Sequence, residues 1–144
     1  MKIIKIAQIP APKVSQEDSV SYAVHLMERA RGGACVVVDD DALVGIFTER
    51  DVMLRVVGPH LDPKKTEVGD VMSFGLDTIT PDTDSAHALD LMVSKHIRHL
   101  PIVDENGKLL GLLSMRNVLH YHVEDLVDQL NSLEAYISAD GPGG

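Results

Sequence analysis

One line of sequence occurs twice in this chain. It reads GIFTERDV at residues 45–52 and GLLSMRNV at residues 111–118. Both copies have a glycine, two apolar residues, a hydroxyl residue, a variable position, an arginine, an acid or its amide, and a valine. A chain that repeats itself is built from repeated structural units. Because only two copies occur, we expect a pair of units related by a pseudo-twofold axis rather than a solenoid.

The repeat extends on the N-terminal side of this line. VSYAVHLM aligns with SAHALDLM, and ACVVVDDDALVG aligns with HLPIVDENGKLLG. The first pair has apolar residues at helical spacing, whereas the second reads as a hairpin, with Asn-Gly at one of its turns. A short strand is expected before the second helix, at DTITP. The boundaries predicted are a first repeat at 1–58, a linker at 59–70, a second repeat at 71–122, a C-terminal helix at 123–138 and a disordered tail at 139–144.

The hydroxyl residue of each line falls where a strand gives way to a helix, and two interpretations remain open. Thr48 with Asp51 resembles a capping box, and Ser114 with Asn117 resembles a weaker one. Alternatively, the free N–H groups and the dipole of a helix N-terminus suit a phosphate. The guanidinium of an arginine beside them could donate two hydrogen bonds to the same phosphate. The acid or amide oxygen would accept hydrogen bonds from the ribose diol.

The duplicated line, the RHLPIVD strand and the segment VMSFGLDTITPDTDSAHALDLM resemble a tandem pair of CBS domains, the regulatory module named after cystathionine β-synthase. The resemblance covers about residues 1–122. It implies an α/β (α+β) fold of two β-α-β-β-α repeats, packed sheet to sheet about a pseudo-twofold axis, with the C-terminal helix added. It also implies up to two clefts that bind adenosyl ligands such as AMP, ADP or ATP.

The resemblance also assigns residues to the ligand. Ser114 and Arg116 would contact phosphate and Asn117 the ribose, while Thr78, Ile79, His99, Leu100 and Pro101 would border the adenine slot. In the first copy Thr48, Arg50 and Asp51 would take the polar roles. The first copy lacks the proline of the base slot, and Asn117 replaces the commoner aspartate. The first site therefore has the better ribose anchor and the second the better base slot.

Composition and motifs exclude several other functions. A net charge of −9 disfavours binding to nucleic acid, and no stretch approaches the ~20 apolar residues of a membrane helix. Cys35 is the only cysteine, and the N-terminal residues do not resemble a signal peptide, so a cytoplasmic location is expected. The histidine pairs His96/His99 and His120/His122 fall in different elements and no CxxC supports them, so no metal site is expected. No catalytic motif occurs, so we expect no enzyme and no required cofactor.

The C-terminal helix carries apolar residues at alternating steps of four and three, which is a heptad seam. The seam comprises Leu119, Val123, Leu126, Leu130, Leu133 and Ile137. We expect this seam to form a homodimer contact; the alternative is that the helix lies back on its own domain. The function expected is a stand-alone regulatory module that binds an adenine nucleotide between its repeats and signals to an unidentified effector protein. The alternative is a structural or protein-interaction module with no physiological ligand.

Overall fold

A computed structural model describes residues 3–139 of the chain. After a 3-10 turn at Ile3–Lys5, the first repeat contains a three-stranded sheet of order β1-β2-β3. Its elements are β1 (Lys13–Val14), α1 (Val20–Arg29), β2 (Ala34–Asp39), β3 (Ala42–Thr48) and α2 (Glu49–Asp51), which continues as a π-helical segment at Val52–Val57. β1 is parallel to β2, and β2 is antiparallel to β3.

The second repeat has the same order of elements. It contains α3 (Val68–Val71), α4 (Ser85–Lys95), β4 (His99–Val103), β5 (Leu109–Ser114) and α5 (Met115–Ala139). The strand expected at DTITP is reduced to one parallel bridge between Ile79 and Ile102, in the place that β1 takes in the first repeat. The predicted architecture of two repeats with a C-terminal helix is confirmed. α5 runs without a break from the second repeat, and residues 140–144 of the expected tail lie outside the described residues.

The two repeats match in small irregularities as well as in their helices and strands. Each hairpin has a shift of register at the corresponding position, between Val37 and Val38 in one copy and before Val103 in the other. Each first helix is followed by a residue in the left-handed region, Arg31 at φ 54° and His96 at φ 56°. Because non-glycine residues adopt this conformation rarely, its recurrence supports a true duplication.

Three apolar clusters form the core. One is centred on Phe47 of the first repeat and also contains Val68 and Val71 of α3, and one is centred on Leu100 of the second repeat. The third contains residues of β2, β3 and β5, including Val36 and Leu112, and so joins the two repeats. Since residues of both sheets meet in this cluster, the repeats share one core and are not independent domains.

Two short segments cross between the repeats. Gln8 precedes β1 of the first repeat but exchanges backbone hydrogen bonds with Leu112 of the second, at 2.9 and 3.1 Å. Ser73 leads into the second repeat but exchanges backbone hydrogen bonds with Ile46 of the first, both at 2.9 Å. We call residues 3–9 the N-terminal arm, and we call residues 71–73, which directly follow the stretch predicted as the linker (59–70), the linker segment. Each repeat is thus completed by the chain that leads into the other one.

Candidate functional site

A cleft of about 970 Å³ opens between the two repeats and is referred to below as the interrepeat cleft. One wall comes from the end of α1, the loop that follows it and Glu49. The opposite wall comes from the start of β4, the end of β5 and the first turns of α5. Gln8 of the N-terminal arm also lines it. The cleft therefore brings together the second copy of the repeated line and the entry into β2 of the first repeat.

The second copy forms a helix N-terminus at the wall of this cleft. The N–H of Asn117 donates to Ser114 Oγ at 3.1 Å, and the N–H of Met115 donates to the carbonyl of Arg98 at 2.8 Å. Within residues 3–139, the N–H of Arg116 between them has no acceptor. A helix N-terminus with a donor to spare is suited to an anion.

Asn117 is exposed and lines the cleft. Its side-chain Nδ2 donates to the carbonyl oxygen of Ile6 in the N-terminal arm at 3.1 Å. This hydrogen bond fixes the amide and uses only one of its two donors. The carbonyl oxygen Oδ1 has no donor among the described residues, so it is available to accept from a ligand hydroxyl.

Three arginines line the cleft, and all three are exposed: Arg31, Arg98 and Arg116. None forms an ion pair with any residue in the range 3–139. Glu28 and Glu49 are the acids of the same lining. In a chain whose net charge is −9, three arginines against two glutamates give this cleft a local excess of positive charge, which is suited to an anion.

His99 lies in the wall of the cleft, and burial lowers the pKa of its imidazole below the usual 6.5. The carboxylate of Glu49 raises this pKa and the guanidinium of Arg98 lowers it, but burial is the largest effect. His99 is therefore neutral at pH 7, with one ring nitrogen as a donor and the other as an acceptor.

This shift predicts a dependence of stability on pH. The unfolded chain protonates His99 near pH 6.5, whereas the folded chain resists protonation. The contribution to the free energy of unfolding is therefore complete above that pH and decreases as pH falls through and below it. We expect His99→Gln to flatten the decline of the melting temperature between about pH 7 and pH 5 relative to wild type. Parallel declines for both proteins would contradict this assignment.

The first copy of the line contributes Glu49 alone to the lining of this cleft and forms a complete capping box. The N–H of Thr48 donates to Asp51 Oδ2 at 3.0 Å, and the N–H of Asp51 donates to Thr48 Oγ1 at 3.3 Å. Asp51 is only 5% exposed, and Arg50 beside it is exposed. None of these three residues lines the interrepeat cleft. The capping interpretation is thus observed for this copy.

Of the residues expected to bind a nucleotide, the cleft gathers four: His99, Ser114, Arg116 and Asn117. The residues expected at the base slot but absent from the lining are Thr78, which is exposed, and Ile79, Leu100 and Pro101, which are buried. Their contact with a base stays a prediction.

Sequence reasoning missed Gln8, Arg31, Glu49 and Arg98. Arg31 and Arg98 both lie just before the aligned strands ACVVV and HLPIV, so the alignment of the two copies could have indicated these two.

Two other features of the described residues bear on chemistry. Cys35 is buried in β2, and burial raises the pKa of its thiol to about 12, so it is protonated and unreactive at neutral pH. Between residues 3 and 139, no three histidine, cysteine or acidic side chains cluster as metal ligands would. No helix in the same range combines the length and the apolar character needed to span a bilayer.

Two similar α/β repeats that share a core and enclose a cleft between them define a module of duplicated origin. The CBS domain family matches residues 5–58 and 68–124, and the chain belongs to this family. A mitochondrial CBS domain-containing protein of Arabidopsis thaliana is 36% identical over 126 residues, which cover 84% of this chain and 61% of that protein. The chain spans about half to three fifths of the first curated relatives that it matches.

Solved structures give the same assignment. A protein with CBS domains from Burkholderia ambifaria superimposes with a TM-score of 0.79 at 30% identity, covering 87% of this chain and 96% of that one. A CBS domain protein from Pyrobaculum aerophilum complexed with AMP superimposes with a TM-score of 0.73 at 22% identity, covering 81% of this chain and 89% of that one. The second likeness shows the fold, and its ligand belongs to that protein.

Proposed function

We propose that this chain is a regulatory module that binds an adenosine-containing nucleotide, AMP, ADP or ATP, in the interrepeat cleft. The observation that carries the proposal is the capped N-terminus of α5 at the wall of a cleft with three unpaired arginines. The AMP complex of the relative from Pyrobaculum aerophilum supports a ligand of this class for this fold.

Each part of a nucleotide has a partner of matching chemistry in the cleft. The phosphate would accept from the N–H of Arg116 and from the guanidinium groups. The ribose diol would donate to Asn117 Oδ1, the acceptor that the protein leaves unused. Neutral His99 would offer a donor and an acceptor to the base without adding a charge. These roles need binding and orientation only, so we propose no reaction and no required cofactor.

A titration of the wild-type chain tests this proposal. We expect isothermal titration calorimetry at pH 7 to detect heat from at least one of AMP, ADP and ATP, and the same nucleotide to raise the melting temperature. S-adenosylmethionine and NAD extend the panel to other adenosine ligands, and guanosine monophosphate is the control for the base. If no adenosine ligand gives heat or a thermal shift at millimolar concentration, the nucleotide-binding function is wrong.

We propose that such a module signals to an unidentified effector protein in the cytoplasm. The second candidate function, an interaction module without a ligand, is favoured by one observation. From Val123 to Ile137 the seam residues are 54–61% exposed, so no described residue of the chain covers this face of α5. A seam exposed in this way is suited to a partner helix.

We propose that a second copy of the chain supplies that helix and that the protein is a homodimer. We expect Leu126→Glu combined with Leu130→Glu to raise the dimer dissociation constant at least tenfold, since carboxylates would then face each other in an apolar seam. Asn131→Glu combined with Ser132→Glu is the matched control, because it adds the same two charges to α5 at exposed positions outside the seam. Sedimentation equilibrium measures the constant. Equal dimer dissociation constants for the wild type, the seam variant and the control would show that the seam is not part of the interface.

A further inference from the structure

The acid of the first copy and the amide of the second, Asp51 and Asn117, have different hydrogen-bond partners within the protein. This difference bears on how many ligands the chain can bind. Both oxygens of the Asp51 carboxylate are occupied within the protein. Oδ2 accepts from the N–H of Thr48 at 3.0 Å and from its hydroxyl at 3.2 Å. Oδ1 accepts from Ser73 Oγ at 2.9 Å and lies 3.7 Å from Arg55 Nε. A ribose diol would have to displace these donors.

The donors to Asp51 come in part from the linker segment, which lies against β3. Arg55 Nη1 donates to the carbonyl of Met72 at 2.8 Å, so one arginine contacts both Asp51 and the linker backbone. A Cβ added at Gly45 would lie 2.6 Å from Met72 Sδ and 2.9 Å from the carbonyl oxygen of Ser73. The linker segment therefore lies tightly against the start of the first copy of the line, at Gly45.

The second copy has no equivalent closure at Asn117. The N-terminal arm runs beside it in the same relation, since a Cβ added at Gly111 would lie 2.9 Å from the carbonyl oxygen of Gln8. The arm, however, accepts one hydrogen bond from Asn117 Nδ2 and donates none to Oδ1. Ser73 has a hydroxyl directed at Asp51, whereas the arm meets Asn117 with a backbone carbonyl, and this leaves the amide oxygen open to the cleft.

We infer that the chain holds one nucleotide and not two, and that Asp51 with Arg55 and Ser73 forms a latch that fastens the linker segment to the first repeat. This inference rests on the function proposed above. According to this inference, the first copy of the line has a structural role, and only the second copy binds the ligand. Asp51 is by chemistry alone the better ribose anchor, but both oxygens of its carboxylate already accept hydrogen bonds within the protein.

The test compares matched changes at the two copies. Calorimetry of the wild type with the best-binding nucleotide should give one ligand per chain. Asn117→Ala should weaken binding tenfold or more, because the ribose loses its acceptor. Asp51→Ala should lower the melting temperature by several degrees and leave the affinity unchanged. Ser73→Ala removes one hydrogen bond of the latch. If the Asp51 variant does not fold, this variant tests whether weakening the latch lowers the melting temperature without changing the affinity.

A stoichiometry of two, or a tenfold loss of affinity in a folded Asp51 or Ser73 variant, would overturn the inference. The latch has a readout that does not need a ligand. In a double-mutant cycle of Asp51→Ala and Ser73→Ala, the fall in melting temperature of the double variant should be smaller than the two single falls added together. Additive falls would overturn the latch. Absence of any nucleotide binding, with coupling intact, would reject the proposed function and the single ligand but leave the latch established.

Discussion

Arg116→Glu is expected to weaken nucleotide binding by about a hundredfold or more. The change removes a charge-assisted hydrogen bond, which is worth ~1.5–3 kcal/mol, and adds repulsion between a carboxylate and the phosphate. Together these amount to roughly 3–5 kcal/mol, or a factor of about one hundred to several thousand in Kd. Calorimetry against the best ligand of the panel measures the loss. Arg116→Gln, which removes the charge without reversing it, should show a smaller one.

The duplication provides the control for this prediction. Arg50 occupies the same position in the first copy, is exposed, and does not line the interrepeat cleft. Arg50→Glu therefore changes the net charge of the protein by the same amount at a comparable helix start. We expect it to leave the affinity within about twofold of wild type at physiological salt, where distant charges are screened. Equal losses in the two variants would mean that overall charge, and not the cleft, governs binding.

Ile3→Ala is expected to lower the free energy of unfolding by about 2–5 kcal/mol, the usual cost of truncating a fully buried isoleucine. Ile3 has no exposed surface, although it lies at the start of the described chain, and it packs in the core of the second repeat. Urea unfolding followed by circular dichroism measures the change. Because one core joins both repeats, we expect a single transition that moves to lower urea.

Ile9→Ala is the matched control for this second prediction. It is the same substitution in the same arm, at a side chain that is 52% exposed. We expect a loss below about 1 kcal/mol. If Ile3→Ala lowered the free energy of unfolding by no more than Ile9→Ala, the arm would not be part of the core of the second repeat.

The duplicated line, the helical spacing and the hairpin signals predicted two repeats of β-α-β-β-α type, and the fold confirms them. These signals are local, since the pattern of one segment is enough to indicate one element. The crossing of Gln8 to Leu112 and of Ser73 to Ile46 could not be predicted in this way. Each crossing joins segments far apart in the chain, and neither leaves a periodic pattern in the sequence.

The candidate site illustrates the same limit. The hydroxyl-x-x-acid pattern permits a capping box and a ligand site with equal chemistry, and the sequence left both open for both copies. The two copies differ in the group that the neighbouring segment presents to the acid or amide. Ser73 presents a hydroxyl to Asp51, whereas Ile6 presents a carbonyl to Asn117. That difference depends on which distant segment lies beside each helix start.

The N-terminal arm has a consequence for how the chain is made. Ile6 and its hydrogen-bond partner Asn117 lie 111 positions apart. At a translation rate of ~5–20 residues per second, the arm leaves the ribosome roughly ten seconds before the strand and helix that receive it. Throughout that interval Ile3 has no core to enter and remains an apolar side chain in water or on a chaperone. The earliest residues of this chain are therefore among the last to reach their native contacts.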